Sequence, residues 1–299
     1  MRRLVLIAAI ALVSCSTKPD PDRVRLYHTD AIGPGIEAAD VEALEVLGPT
    51  LLDKGVNFGV FSANAERVDL LLFDNPESDQ PTQQFEMIKT GEVWNLYVEG
   101  VGLGQHYGYI AWGPNWTFDA AWSVGKIDGF VADVDSAGHR FNPNKLLIDP
   151  YAKAIHRDHD WGLGSLASGP DRTVSTYAAA SKSVVTNSLY QWSENETTWR
   201  ELRQDDKPHA AHEQIVYEVH AKGFTADPAS GVTHPGTYRG LGERAEYFAD
   251  LGVTAVELLP IHEKPLDGGY RGYNNISFFA PEISYAATDD PTEVIDEFK

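Results

Sequence analysis

Residues able to do chemistry gather late in the chain, around the run VTAVELLPIHE, Val253 to Glu263. Seven mostly apolar, β-prone residues lead without alternation into Pro260, His262 and Glu263. That pattern predicts a strand buried on both faces, with polar groups at its carboxyl end, where parallel α/β barrels keep their reactive side chains. His220 closes an earlier run, IVYEVH, in the same way. The two histidines do not make a zinc centre, because a further ligand is wanted and none stands at close spacing. Structural or substrate-lining roles are expected for His220 and His262. Trp112, Trp116 and Trp122 share one short stretch. Rings at that density either offer a platform for a sugar or pack a sandwich against its neighbour, and packing is the expectation.

These residues need a frame. From Gly48 to Pro114 the text is strand-like: GVNFGVFSA, RVDLLLFD, VWNLYVEGV and HYGYIAWG, separated by short polar or glycine-containing turns. Short strands at regular spacing predict a β-sandwich, taken here with its long connection as 48–150. The connection is rich in Gly, Asp, Asn and Trp without a sustained period, and it reads as ordered. Residues 151–212 read as irregular linker. From 213 to 299 a βα pattern begins. GLGERAEYFADLG carries Leu241, Ala245, Phe248, Ala249 and Leu251 at helical spacing, with Gly252 as its C-terminal cap. A last helix is expected to start at DDPTEVIDEFK, capped by Asp290 and led by Pro291. The chain stops about two turns into that helix, so it is expected to be a fragment or a truncated gene product.

The balance of 24 basic against 44 acidic residues gives a net charge of −20. Such a surface repels nucleic acid and anionic lipid headgroups and is compatible with a neutral polar ligand. The first residues are set apart. MRRLVLIAAIALVSC has two arginines, an apolar run from Leu4 to Val13, then Ser14 and Cys15. The run is too short for a stable membrane span and reads as a secretion signal. LVSC is similar to a bacterial lipoprotein cleavage box, which makes Cys15 the expected lipidation residue. Residues 1–20 are then signal and tether start, and 21–47 a polar segment. The expected location is outside the cytoplasm, on a bacterial membrane facing the periplasm or cell surface, with membrane contact only through the acylated N-terminus. Cys15 is the protein's only cysteine, so once it is lipidated no disulfide or thiol nucleophile is expected.

IVYEVHAKGFT, LGVTAVELLPIHE, RGYNNISFFAPEISYA and GHRFNPNKLLIDPYAKAI together resemble the isoamylase and glycogen-debranching branch of the α-amylase superfamily, glycoside hydrolase family thirteen. The likeness runs from about 48 to 299. It implies an all-β sandwich of the carbohydrate-binding module family forty-eight type, followed by the first part of an α/β (β/α)8 barrel, truncated. It also implies hydrolysis of α-1,6 branches of glycogen or amylopectin by a retaining mechanism, in which one carboxylate attacks and another carboxylic acid protonates the leaving oxygen. In this family those carboxylates lie on the fourth and fifth strands, with a further Asp after the seventh. All three are expected beyond Lys299, so no catalytic residue is assigned and the chain alone is expected to be inactive. A non-catalytic α-glucan-binding lipoprotein, a pullulanase and a maltooligosyltrehalose hydrolase are the alternatives.

The resemblance further implies which residues edge the site. RGY matches the family segment after the second strand, whose tyrosine, Tyr273 here, stacks on the sugar being cleaved. Arg271 stands where the family usually has Trp or His, and Asn274 is placed near the pocket. Secreted isoamylases bind one calcium, and the matching ligands here are Asp133 (or Asp135), Glu263 and Glu282. Oxygen ligands from distant segments suit that ion. A threonine ligand of the family aligns with Lys264, whose ammonium repels a cation. Calcium and a metal-free ion-pair cluster therefore both stand as expectations.

Overall fold

The computed structural model describes residues 32–33, 47–52, 54–157, 159–160, 166–188, 190–192, 211–265 and 269–299. The expected signal, Cys15, most of 21–47 and much of the expected linker (193–210) lie outside the described residues. The described residues divide into two compact units. One runs to residue 187 and includes 276–280; the other comprises 188–275 and 281–299.

In the first unit the strands are, in chain order, β1 (Ile32–Gly33), β2 (Gly48–Leu51), β3 (Gly55–Phe61), β4 (Arg67–Phe73), β5 (Gln83–Glu86), β6 (Ile88–Thr90), β7 (Val93–Glu99), β8 (His106–Trp112) and β9 (Ser183–Val184). They form two antiparallel sheets. One has the order β1-β7-β3-β2, with β6 also on β7; the other runs β5-β4-β8-β9. The period-two alternation of side chains sends Val56 and Phe58 of β3, Leu70 and Leu72 of β4, Trp94 and Leu96 of β7, and Tyr107 and Tyr109 of β8 into one shared core.

The second sheet is covered on its other face as well. Leu71, Phe73, Ile110 and Trp112 pack against Trp116, Leu146, Tyr177 and Ala180 from the long connection and the segment after it. Double burial explains why RVDLLLF reads as an apolar run rather than an alternation. Part of 151–212, expected as irregular linker, joins this packing while remaining largely irregular. Within that stretch, β9 pairs with His106 and Tyr107 of β8, and Ala152 and Ile155 are buried with Ala280. The apolar content of 152–186 is dispersed and carries no period, so its place in the core was not visible from pattern.

In the second unit, β10 (Val216–Val219) pairs in parallel with β11 (Ala255–Leu258), Val216 opposite Ala255 and Val219 opposite Leu258. Between them run α1 (Tyr238–Gly242) and α2 (Ala245–Asp250). One helix was expected here. The glycine-rich GLGE stretch, poor in helix propensity, interrupts it. Gly252 takes φ +78° after α2, as its capping role requires. Val219, Leu241, Phe248 and Val256 form the core beneath the strands. The other strand face is open, with Val216 53% exposed, so the expectation of burial on both faces holds for one face only. Asp290 Oδ1 accepts from Thr292 N–H at 2.9 Å, and α3 (Val294–Phe298) follows after one turn.

Candidate functional site

Beyond β11, His262 bridges antiparallel to Pro281. Next to that bridge each segment carries a buried carboxylate: Glu263 is 0% and Glu282 1% exposed. Glu282 accepts from Lys264 N–H at 3.0 Å and, through its other oxygen, from Ser284 N–H at 3.3 Å. Glu263 Oε2 accepts from Ile283 N–H at 3.0 Å. Each glutamate thus clasps the backbone of the opposite segment. The Tyr238 hydroxyl lies 3.2 Å from Ile261 O and 3.1 Å from Glu282 O. Burial first, then the charges of Glu282 and Glu263, push that phenol well above its ordinary pKa.

The Lys264 side chain is buried and its ammonium lies 5.7 Å from the centre of the Tyr285 ring. Asp133, in the first unit, is held by Arg172 in a two-pronged ion pair at 2.6 and 2.9 Å, with Gly169 N–H at 3.2 Å. The guanidinium keeps the Asp133 carboxyl below its ordinary range. Asp135 is likewise lowered, chiefly by its 2.8 Å contact with His139. Among the described residues no group of three or more His, Cys, Asp or Glu is arranged to hold a metal ion. Asp133 faces the Arg172 guanidinium, while Glu263 and Glu282 accept from backbone N–H groups near the buried Lys264 side chain.

The residues expected to edge a substrate lie on one turn, Tyr270 to Asn274, after the carboxyl end of β11. Gly272 takes φ +77°, and a Cβ there would also meet Pro260 O at 3.0 Å, so the glycine of RGY is required twice over. Arg271, Tyr273 and Asn274 are exposed, Tyr273 by 68%. The turn is fixed through a residue that sequence reasoning missed, Tyr270. Its carbonyl accepts from His220 Nε2 at 2.7 Å, and its ring stacks on the imidazole at 4.2 Å. His220 Nδ1 accepts from Gly223 N–H at 3.0 Å, which puts the ring proton on Nε2 and makes this a neutral imidazole. A Cβ at Gly223 would lie 2.0 Å from the Tyr270 hydroxyl, so that glycine gives the ring its space. The signal for this anchor was the pairing of HAKG with GGYRG, which no local period connects. His262 is partly buried, and desolvation lowers its pKa.

The tryptophans separate by burial. Trp112 is 0% and Trp116 1% exposed, and both pack in the core as expected. Trp122 is only partly buried and stands edge-on to Trp112 at 5.0 Å.

The first unit is thus an antiparallel β-sandwich, and the second holds a parallel strand pair with helices between its strands. Comparison makes the class specific. Residues 46–152 match carbohydrate-binding module 48 (isoamylase N-terminal domain). The chain is 36% identical to an isoamylase of Flavobacterium sp over 77% of this chain and 32% of that protein. It is 35% identical to a glycogen debranching enzyme of Klebsiella pneumoniae over 85% of this chain and 36% of that protein. Among solved structures, the catalytic module of the glycogen-degrading pneumococcal virulence factor SpuA superposes with TM-score 0.59 at 20% identity, over 85% of this chain and 34% of that one. The chain belongs to the isoamylase and glycogen-debranching family, and it spans about a third of the length of the curated relatives it matches.

Proposed function

We propose that this chain is the N-terminal portion of a glycoside hydrolase that cleaves α-1,6 branches of glycogen or amylopectin with retention, and that its own residues hold the glucan rather than cleave it. The observation that carries this reading is the Tyr270–Asn274 turn. It is exposed at the end of a parallel strand and braced by His220 and Gly272. Tyr273 offers a rigid face to the C–H side of a glucose ring, at low ordering cost. Arg271 and Asn274 supply donors to its hydroxyls. The nucleophile and acid of a retaining mechanism belong to later strands of the family barrel, past Lys299. The purified 299-residue chain is expected to release no reducing ends from amylopectin or pullulan and to be retarded in gels containing glycogen. Hydrolysis by a preparation free of longer forms sinks the division of labour, and unretarded migration sinks glucan binding.

Two further parts of the proposal concern the setting. Glu263, Lys264 and Glu282 work without calcium, as a backbone clasp beside a buried ammonium. Lipidation at Cys15 anchors the protein outside the cytoplasm.

A further inference from the structure

The turn that carries Tyr273 brings two cations together. Arg271 is exposed, and among the described residues its guanidinium makes neither a hydrogen bond nor an ion pair. Arg67, Arg157 and Arg172 each hold a carboxylate, at 2.6, 2.8 and 2.6 Å. Arg271 does not, although the chain has 44 acidic residues to 24 basic ones, so its fork of donors is open to a ligand. The second cation, Lys264, lies beneath the same turn. A Cβ at Gly272 would stand 3.7 Å from Lys264 Cδ, which puts the lysine stem against the residue between Arg271 and Tyr273. Lys264 is 7% exposed, and its ammonium makes no hydrogen bond among the described residues; it lies 5.7 Å from the centre of the Tyr285 ring. The buried carboxylates of this region, Glu263 and Glu282, accept from backbone N–H groups.

Both positions depart from what the family resemblance implies, Trp or His at Arg271 and a threonine at Lys264. Each departure brings a cation to one turn. For a neutral sugar hydroxyl, an indole N–H, an imidazole or a threonine hydroxyl is partner enough. A planar guanidinium fork with an ammonium behind it suits an oxyanion instead, which it holds through two parallel N–H···O bonds. The net charge of −20 repels free anions from the surface as a whole. An anionic group is therefore best delivered here on a sugar that Tyr273 already stacks, so that the aromatic contact brings the charge within reach of Arg271.

We propose that Arg271, backed by Lys264, selects α-glucans that carry a phosphate monoester close to the glucose unit stacked on Tyr273. The proposal rests on the glucan-binding reading above and names the substrate class of the same turn. The test titrates the full 299-residue chain, by calorimetry in about 0.15 M salt, with maltoheptaose and with maltoheptaose phosphorylated on one C6 hydroxyl. The phosphate ester is expected to bind about tenfold tighter or more. Arg271→Gln, at an exposed position that keeps the fold, is expected to bring the ratio of the two affinities below about twofold. Arg271→Lys is expected to keep part of the ratio, because a point charge replaces a two-pronged contact. A purely structural role for Arg271 lowers both affinities together and leaves their ratio alone. Equal wild-type affinities, or a ratio that Arg271→Gln leaves intact, overturn the charge selection and leave the glucan-binding reading standing. A wild-type chain that binds neither sugar overturns both.

Discussion

The carboxylate of Glu282 accepts a hydrogen bond from the backbone N–H of Lys264, 3.0 Å away, in a fully buried contact. The same carboxylate takes Ser284 N–H, so it serves as a two-ended clasp in a position where the family resemblance implies a metal ligand. A calcium ion would have to compete with both donors and with the buried Lys264 ammonium. The melting temperature is therefore expected to move by no more than about 1 °C between excess calcium and excess chelator. Glu282→Gln, which turns one acceptor into a donor facing a backbone N–H, is expected to cost about 1–3 kcal/mol in urea unfolding. A melting temperature that climbs with calcium counts against the clasp.

Two buried groups of the sandwich titrate in opposite senses. Burial raises Asp149 from an ordinary 3.8 to about 6, despite hydrogen bonds from Tyr151 N–H and the Tyr107 hydroxyl. The native state then holds a proton that the unfolded chain has released, so stability present below pH 3.8 is lost as pH rises towards 6. Burial lowers His156 from 6.5 to about 4. There the unfolded chain holds the extra proton, and stability present above pH 6.5 is lost as pH falls towards 4. Each swing is on the order of 3 kcal/mol, and in the wild type they largely cancel. Asp149→Asn is expected to unmask a stability that rises from pH 4 to 6.5, and His156→Gln one that falls. Unfolding free energies measured at four or five pH values check both slopes; parallel curves for the two variants contradict the assignment.

Lys182 is fully buried, with its ammonium donating to the carbonyls of Tyr177 and Ala180 and lying 4.9 Å from the Phe73 ring centre. Desolvation pulls its pKa down to about 8. Lys182→Met keeps the volume and strands the two carbonyls, at a cost of about 2–5 kcal/mol. Thermal melts at neutral pH read this directly. An unchanged melting point means that water or a neighbouring donor replaces the ammonium.

How much of this was legible in the sequence depends on what kind of order each segment carries. GVNFGVFSA and VWNLYVEGV state their sheet as short β-prone runs bounded by turn residues, although β3 and β7 are buried on both faces. The parallel strands were legible from their apolar runs and from the capping chemistry of Gly252 and Asp290. The 152–186 segment was not, because it enters the core through isolated residues such as Tyr177 and Lys182, held by non-local hydrogen bonds. Within the site, RGY was found by resemblance. Its brace, His220 with Tyr270, joins residues 50 apart in the chain and leaves no local pattern.

Lipidation rests on LVSC, outside the described residues. In a bacterial host, the full chain is expected to enter the detergent phase on Triton partitioning and to take up labelled palmitate, whereas Cys15→Ala does neither. Equal partitioning of both forms removes the anchor.

The open face of the β10–β11 pair has a consequence for the isolated chain. Each strand has a hydrogen-bonded neighbour on one side only among the described residues. Ile215 and Val216 are each 53% exposed, while Glu218 and Glu257 pair across the strands on the same open face as Val216. Apolar side chains beside unpaired strand edges are a template for association. The two glutamates, like charges directly opposite each other, oppose stacking and should make it dependent on salt and acid. Light scattering of the purified chain is expected to show self-association that grows with protein concentration and with salt. Val216→Lys, which places a cation beside the glutamate pair on the same face and removes the exposed isopropyl group, is expected to suppress it with little change in melting temperature. If the variant associates as readily as the wild type, the sticky surface lies elsewhere.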